Sequence, residues 1–127
     1  MIDSGEDVNA TDPGRAGRTP LHAAAFNDRD RCIDTLVKAK ASIDAKCENS
    51  GSEPLHVAAA RHSHAAAEAL VRHGARVNAT DALGRTPLHR ATANVASGTL
   101  KIAELLLAAG ADETMTDVND KTALDSV

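Results

Sequence analysis

The sequence predicts an all-helical chain of stacked repeat units, on three observations. A tetrapeptide recurs: Thr19-Pro20-Leu21-His22 returns as Glu53-Pro54-Leu55-His56, as Thr86-Pro87-Leu88-His89 and, more loosely, as Thr122-Ala123-Leu124-Asp125, at leucine-to-leucine steps of 34, 33 and 36 residues. A second motif keeps the same beat downstream, as Lys40-Ala41-Ser42-Ile43-Asp44-Ala45, Gly74-Ala75-Arg76-Val77-Asn78-Ala79 and Gly110-Ala111-Asp112-Glu113-Thr114-Met115. Two motifs in phase mark a repeat architecture. The third observation is composition: of 127 residues 26 are Ala, one is Phe and none is Tyr or Trp, which suits many thin layers and argues against one thick aromatic core.

Each element follows from its residues. The opening Gly5-Glu6-Asp7-Val8-Asn9-Ala10 is the second motif without the unit that should precede it, which suggests an excised piece of a longer protein or an unusual N-terminal cap. In the first unit Thr19 caps a helix that Pro20 starts, because the hydroxyl accepts from an orphan N–H and proline has none to satisfy. Ala24-Ala25 let neighbouring helices approach closely, and a second helix carries the apolar stripe Cys32, Ile33, Leu36 and Val37. Lys40 falls where that helix stops, a place that favours a left-handed residue and strains a lysine. The second unit repeats this with Ala58-Ala59, the stripe Ala66, Ala67, Leu70 and Val71, and a Gly74 stop, but Glu53 replaces the capping threonine and weakens that cap. The third unit has Thr86 as cap, Ala91-Thr92, the stripe Ile102, Ala103, Leu106 and Leu107, and Gly110. Between its helices Ala93–Gly98 carries three extra residues. The loop tips differ too: Asp12–Gly17 is two residues longer than Asp81–Gly84, and Cys47–Gly51 is one longer with Cys47 in place of Asp.

Helices this short are marginal alone, so each stripe must be buried against the next unit. Leu106→Ala should then cost about 2–5 kcal/mol through a cavity, and Thr86→Ala about 1 kcal/mol through the lost cap.

From about Gly5 to the C-terminus these motifs resemble the ankyrin-repeat family. The resemblance implies an all-α solenoid of helix–loop–helix units joined by β-hairpin-like loops, forming one domain over residues 1–127. Partial units at 1–15 and 119–127 would flank repeats at about 16–49, 50–82 and 83–118. It implies that His22, His56 and His89, at one repeat position, hydrogen-bond neighbouring backbone. It also implies a non-catalytic protein–protein interaction module, a scaffold or adaptor segment whose partner lies along a concave face of loop tips and first helices. The variable positions on that face are Arg15, Ala16, Arg18, Phe26 and Asn27, then Asn49, Ser52, Ala60 and Arg61, then Leu83, Arg85, Arg90, Ala93 and Asn94, with Asn119 and Lys121 at the end. Phe26, the single aromatic, suits the anchors enriched in interfaces. The arginines make the face locally basic, so the expected partner carries acidic residues and an apolar side chain for Phe26. The alternative for Phe26 is a hydrophobe folded under the first loop. The alternative function is a stand-alone inhibitor that covers an enzyme's surface.

Other chemistry finds little support. With 14 Lys+Arg against 18 Asp+Glu the net charge is −4, which disfavours nucleic acid and anionic membranes. The absence of a long apolar run or a leader-like N-terminus points to the cytosol or nucleus, where Cys32 and Cys47 stay thiols and pack as small apolar groups. His62-Ser63-His64 lacks further ligands at metal-binding spacing and reads as a polar turn, so neither metal nor cofactor is expected. No nucleophile elbow, Ser-x-x-Lys or phosphate-binding glycine motif is present, so no catalytic residue is assigned. Asn9 and Asn78 open glycosylation-type triplets but share one repeat position, which favours a role in the loop; ankyrin-like asparagines there can be hydroxylated, and Asp7-Val8-Asn9 fits that better than Arg76-Val77-Asn78. The chain is expected as a monomer or in weak self-association.

Overall fold

A computed structural model describes residues 18–47, 50–93 and 100–123. Within them six helices run in order: α1 Pro20–Phe26, α2 Asp30–Lys38, α3 Pro54–Ala60, α4 His64–Arg72, α5 Pro87–Ala93 and α6 Leu100–Ala108. The seven-residue helices α1, α3 and α5 form an inner row, with α3 packed between its neighbours, and the nine-residue helices α2, α4 and α6 form an outer row. The described residues contain no strand; the loops close as hairpin-like turns, as where Asp81 N–H donates to Arg85 O at 2.9 Å and Gly84 N–H to Asp81 O at 3.0 Å.

The helix starts behave as the residues dictate. Thr19 Oγ1 accepts from His22 N–H at 3.4 Å and Thr86 Oγ1 from His89 N–H at 3.3 Å. At α3 Glu53 takes the threonine's place. Its backbone N–H still donates to His56 Nδ1 at 3.1 Å, and its carboxylate is buried against Arg76, whose Nη2 lies 3.0 Å away. Burial pushes that carboxyl up. The outer helices end on left-handed residues, Lys40 at φ 69°, Gly74 at φ 92° and Gly110 at φ 100°. In each case the following N–H reaches back to the last turn, Ala41 to Leu36 O, Ala75 to Leu70 O and Ala111 to Leu106 O, all at 2.9 Å. Only Lys40 needs an L side chain in that conformation.

The core is one continuous seam. Leu21, Ile33, Leu55, Leu70, Leu88, Ile102 and Leu106 are fully enclosed, and Ala25, Ala58, Ala59, Ala66 and Ala67 fill the narrow spaces between helices. Two members of the expected stripes lie outside it. Cys32 is exposed and Leu107 is 39% exposed. Their counterparts Ala66 and Ile102, or Val37 and Val71, are covered because each stripe has one edge facing the preceding unit and one facing the next. Among the described residues nothing packs beyond α2 on one side or beyond α6 on the other. Cys47 is buried, with its Sγ 3.0 Å from Ser50 Oγ.

The three repeated histidines tie unit to unit. Nδ1 of His22, His56 and His89 accepts from the N–H of Thr19, Glu53 and Thr86 at 3.1 Å. That leaves the ring proton on Nε2, which donates to Ser52 O at 2.7 Å, Arg85 O at 2.8 Å and Lys121 O at 2.8 Å respectively. Each imidazole therefore fixes its own helix start to the loop of the following unit. Burial holds His22 below the ordinary histidine range and pushes His56 down to about 4. On the outer row Asp34 accepts from Arg72 Nη2 at 3.0 Å and pairs with His73 Nε2 at 2.6 Å, joining α2 to the end of α4.

Candidate functional site

The most unusual surface lies at the end of α1. Phe26 is the last residue of that short helix, past the buried Ala24-Ala25 pair, and stays 36% exposed. Arg61, which follows α3, places its Cζ 4.3 Å from the ring centroid, and Arg18, which precedes the Thr19 cap, places its Cζ at 5.5 Å. Both distances are within cation–π range. Among the described residues neither guanidinium makes an ion pair. Asn27 is exposed beside them and donates from Nδ2 to Ala23 O at 2.9 Å, closing the helix end.

The other two candidate arginines are placed differently. Arg85 Nε lies 3.0 Å and Arg90 Nη1 3.4 Å from Oδ2 of Asp81, whose side chain is wholly enclosed. Oδ1 of Asp81 accepts the N–H groups of Leu83 and Arg85, both at 2.9 Å. Burial alone would raise this carboxyl, yet those two N–H groups and the Arg85 charge hold it below the ordinary carboxylate range. Asp81 was absent from the sequence-derived set. The signal that points to it is its place at the start of a loop, which Cys47 and Asp117 share, with two arginines following. Ser52 was in that set as a surface position, but it is buried: its hydroxyl lies 2.8 Å from Ser50 Oγ and accepts from Arg90 Nη1 at 3.0 Å. The face is therefore less basic than its arginine count implies, since Arg85 and Arg90 share one internal counterion.

Leu83 is 49% exposed on its loop tip, and Val118, which sequence reasoning missed, is 62% exposed on the next. The two are joined by Val118 N–H donating to Leu83 O at 3.0 Å. Ala60 is half-buried, while Asn119 and Lys121 are exposed. Arg15, Ala16, Asn49 and Asn94 lie outside the described residues, as does the Ala93 side chain. Among the described residues no three His, Cys, Asp or Glu side chains converge as metal ligands; His64 meets only Glu68, at 4.0 Å.

Set against known families, the chain matches the model described as ankyrin repeats (3 copies) over residues 1–81 and 41–117. The chain belongs to the ankyrin-repeat family. Among its relatives are the neurogenic locus notch homolog protein 1 of Xenopus tropicalis, 33% identical over 126 residues, and that of Homo sapiens, 34% identical over 125 residues. Each alignment takes in 98% of this chain and 5% of the relative, so the chain spans about one-twentieth of those proteins. Ankyrin repeats generally serve as protein–protein interaction modules, and the family is generally non-catalytic. The ankyrin framework also explains Asn78: Oδ1 accepts from Asp112 N–H at 2.7 Å and Nδ2 donates to Gly110 O at 3.3 Å, so it bridges successive loops. Its counterpart Asn9 lies outside the described residues.

Proposed function

We propose that this ankyrin domain is a non-catalytic module that holds a partner protein along the face formed by its loop tips and the inner helices α1, α3 and α5, with Phe26 at the centre. One observation carries the reading: the single aromatic side chain is kept partly in solvent with two guanidiniums over it. An aromatic flanked by arginines has the composition of interface hot spots. The partner is a protein segment bearing acidic residues and an apolar group. Exposed Leu83 and Val118 extend the same face along the loop tips. Arg85 and Arg90 support it from beneath, since Asp81 holds both.

The test is affinity capture with the wild-type domain beside a Phe26→Ala/Arg61→Ala variant whose helicity is checked by circular dichroism. Neither residue belongs to the enclosed core, so the variant should fold. A partner retained by the wild type and lost by the folded variant supports this face. A partner retained equally by both moves the interaction elsewhere.

A further inference from the structure

The Phe26 cluster carries more than a location. A ring that is to receive a partner's apolar group needs an open face, yet Arg61 sits 4.3 Å from this centroid and Arg18 5.5 Å. The ring's π-surface is thus engaged within the domain. A guanidinium that rests on a ring keeps its in-plane N–H donors available, in the fork that matches a carboxylate. Neither arginine has a carboxylate partner among the described residues, in contrast to Arg72, Arg76, Arg85 and Arg90, each of which is ion-paired. The two cations are also anchored on different units, Arg18 before α1 and Arg61 after α3, so only the stacked fold brings them to one ring.

We infer that Phe26 is a positioning residue which holds the Arg18 and Arg61 guanidiniums with their donors outward, and that these two cations read side-chain carboxylates of an acidic protein segment. This rests on the proposed binding face but changes what does the recognising: charge leads, and the ring orients it. A net charge of −4 on the whole chain disfavours a long polyphosphate, whereas two local cations suffice for a short acidic stretch. Holding the arginines in place beforehand lessens the ordering that a bound carboxylate would otherwise impose.

The experiment is an NMR titration of the full chain with the peptide acetyl-Glu-Asp-Leu-Glu-Asp-amide and its neutral counterpart acetyl-Gln-Asn-Leu-Gln-Asn-amide. With no Tyr or Trp present, the Phe26 ring signals report the site directly. The acidic peptide should move the ring protons and the Arg61 Nε–H, weaken at about 0.3 M salt, and leave the neutral peptide silent. Phe26→Leu should weaken acidic-peptide binding about threefold, with Phe26→Trp restoring it, since tryptophan holds a cation at least as well. The inference is overturned if the neutral peptide shifts the ring equally, if Phe26→Leu binds like wild type, or if the acidic peptide moves nothing. A partner captured by wild type and lost in Phe26→Ala/Arg61→Ala, beside a silent acidic peptide, would sink this inference and leave the binding face standing. A partner captured equally by both would remove the face itself.

Discussion

Mild acid should loosen this domain, and His56 sets the size of the effect. Its Nδ1 accepts from Glu53 N–H, so a second ring proton would face a donor, and its side chain is fully buried. Burial therefore holds its folded pKa at about 4, against 6.5 for the free side chain. The unfolded chain takes the proton first as pH falls, so the contribution is fully present above about 6.5 and is lost progressively as pH drops through the window to about 4. At roughly 1.4 kcal/mol per pH unit across that window, His56 alone removes about 2 kcal/mol between about pH 7 and pH 4.5. His22, lowered by burial, acts in the same direction. Glu53 opposes it, because burial raises its carboxyl and its protonation favours the folded state. Asp81, held below the ordinary carboxylate range, adds its loss only at still lower pH. The assay is urea unfolding at a series of pH values for wild type and His56→Gln. The variant should start about 1–3 kcal/mol less stable from its lost bonds, and its stability should fall with pH by up to about one proton's slope less. Parallel pH curves for the two proteins would refute the argument.

Three further outcomes follow from packing and backbone geometry. Leu106→Ala should cost about 2–5 kcal/mol in urea unfolding, whereas Leu107→Ala, next to it but exposed, should cost well under about 1 kcal/mol. Equal losses would mean that the stripe is registered differently. Lys40→Gly should raise the thermal midpoint by relieving a left-handed lysine, worth about 1 kcal/mol, and Gly74→Ala should lower it comparably, although its Cβ would meet nothing within 4 Å. Opposite signs would show that the caps do not govern these positions. Asp81→Ala strands Arg85 and Arg90 and should cost about 3–5 kcal/mol by chemical denaturation. A loss under about 1 kcal/mol would mean that water replaces the carboxylate without penalty.

The repeat period, the threonine caps, the glycine stops and the inward histidines were all legible in the sequence, because each depends on contacts within one unit or on a position repeated in the next. Cys32 and Leu107 were misplaced for the complementary reason. Whether a stripe's edge is covered depends on whether a unit packs beyond it, which the stripe itself does not encode. Ser52 was misread similarly: it is enclosed by contacts from other units, His22 of the preceding one at its carbonyl and Arg90, 38 residues further on, at its hydroxyl. Phe26 could be singled out as the only aromatic residue. That an arginine of the next unit would join Arg18 at its ring could not be read from spacing, since Arg61 meets it only after the units stack.

One small bond bears on how the array can be divided. Asp28, left-handed at φ 55° in the turn after α1, accepts the Ala66 N–H at 2.9 Å, while Ser63 at the start of α4 makes no capping bond of its own. The second unit's outer helix is thus completed by a side chain from the first. A piece cut at the sequence period would carry α4 with its leading amide open, so the physical joint of this array sits upstream of the repeat drawn on the sequence. Shortening from the N-terminal side should fray the new first unit, whereas trimming from the other end would leave that joint whole.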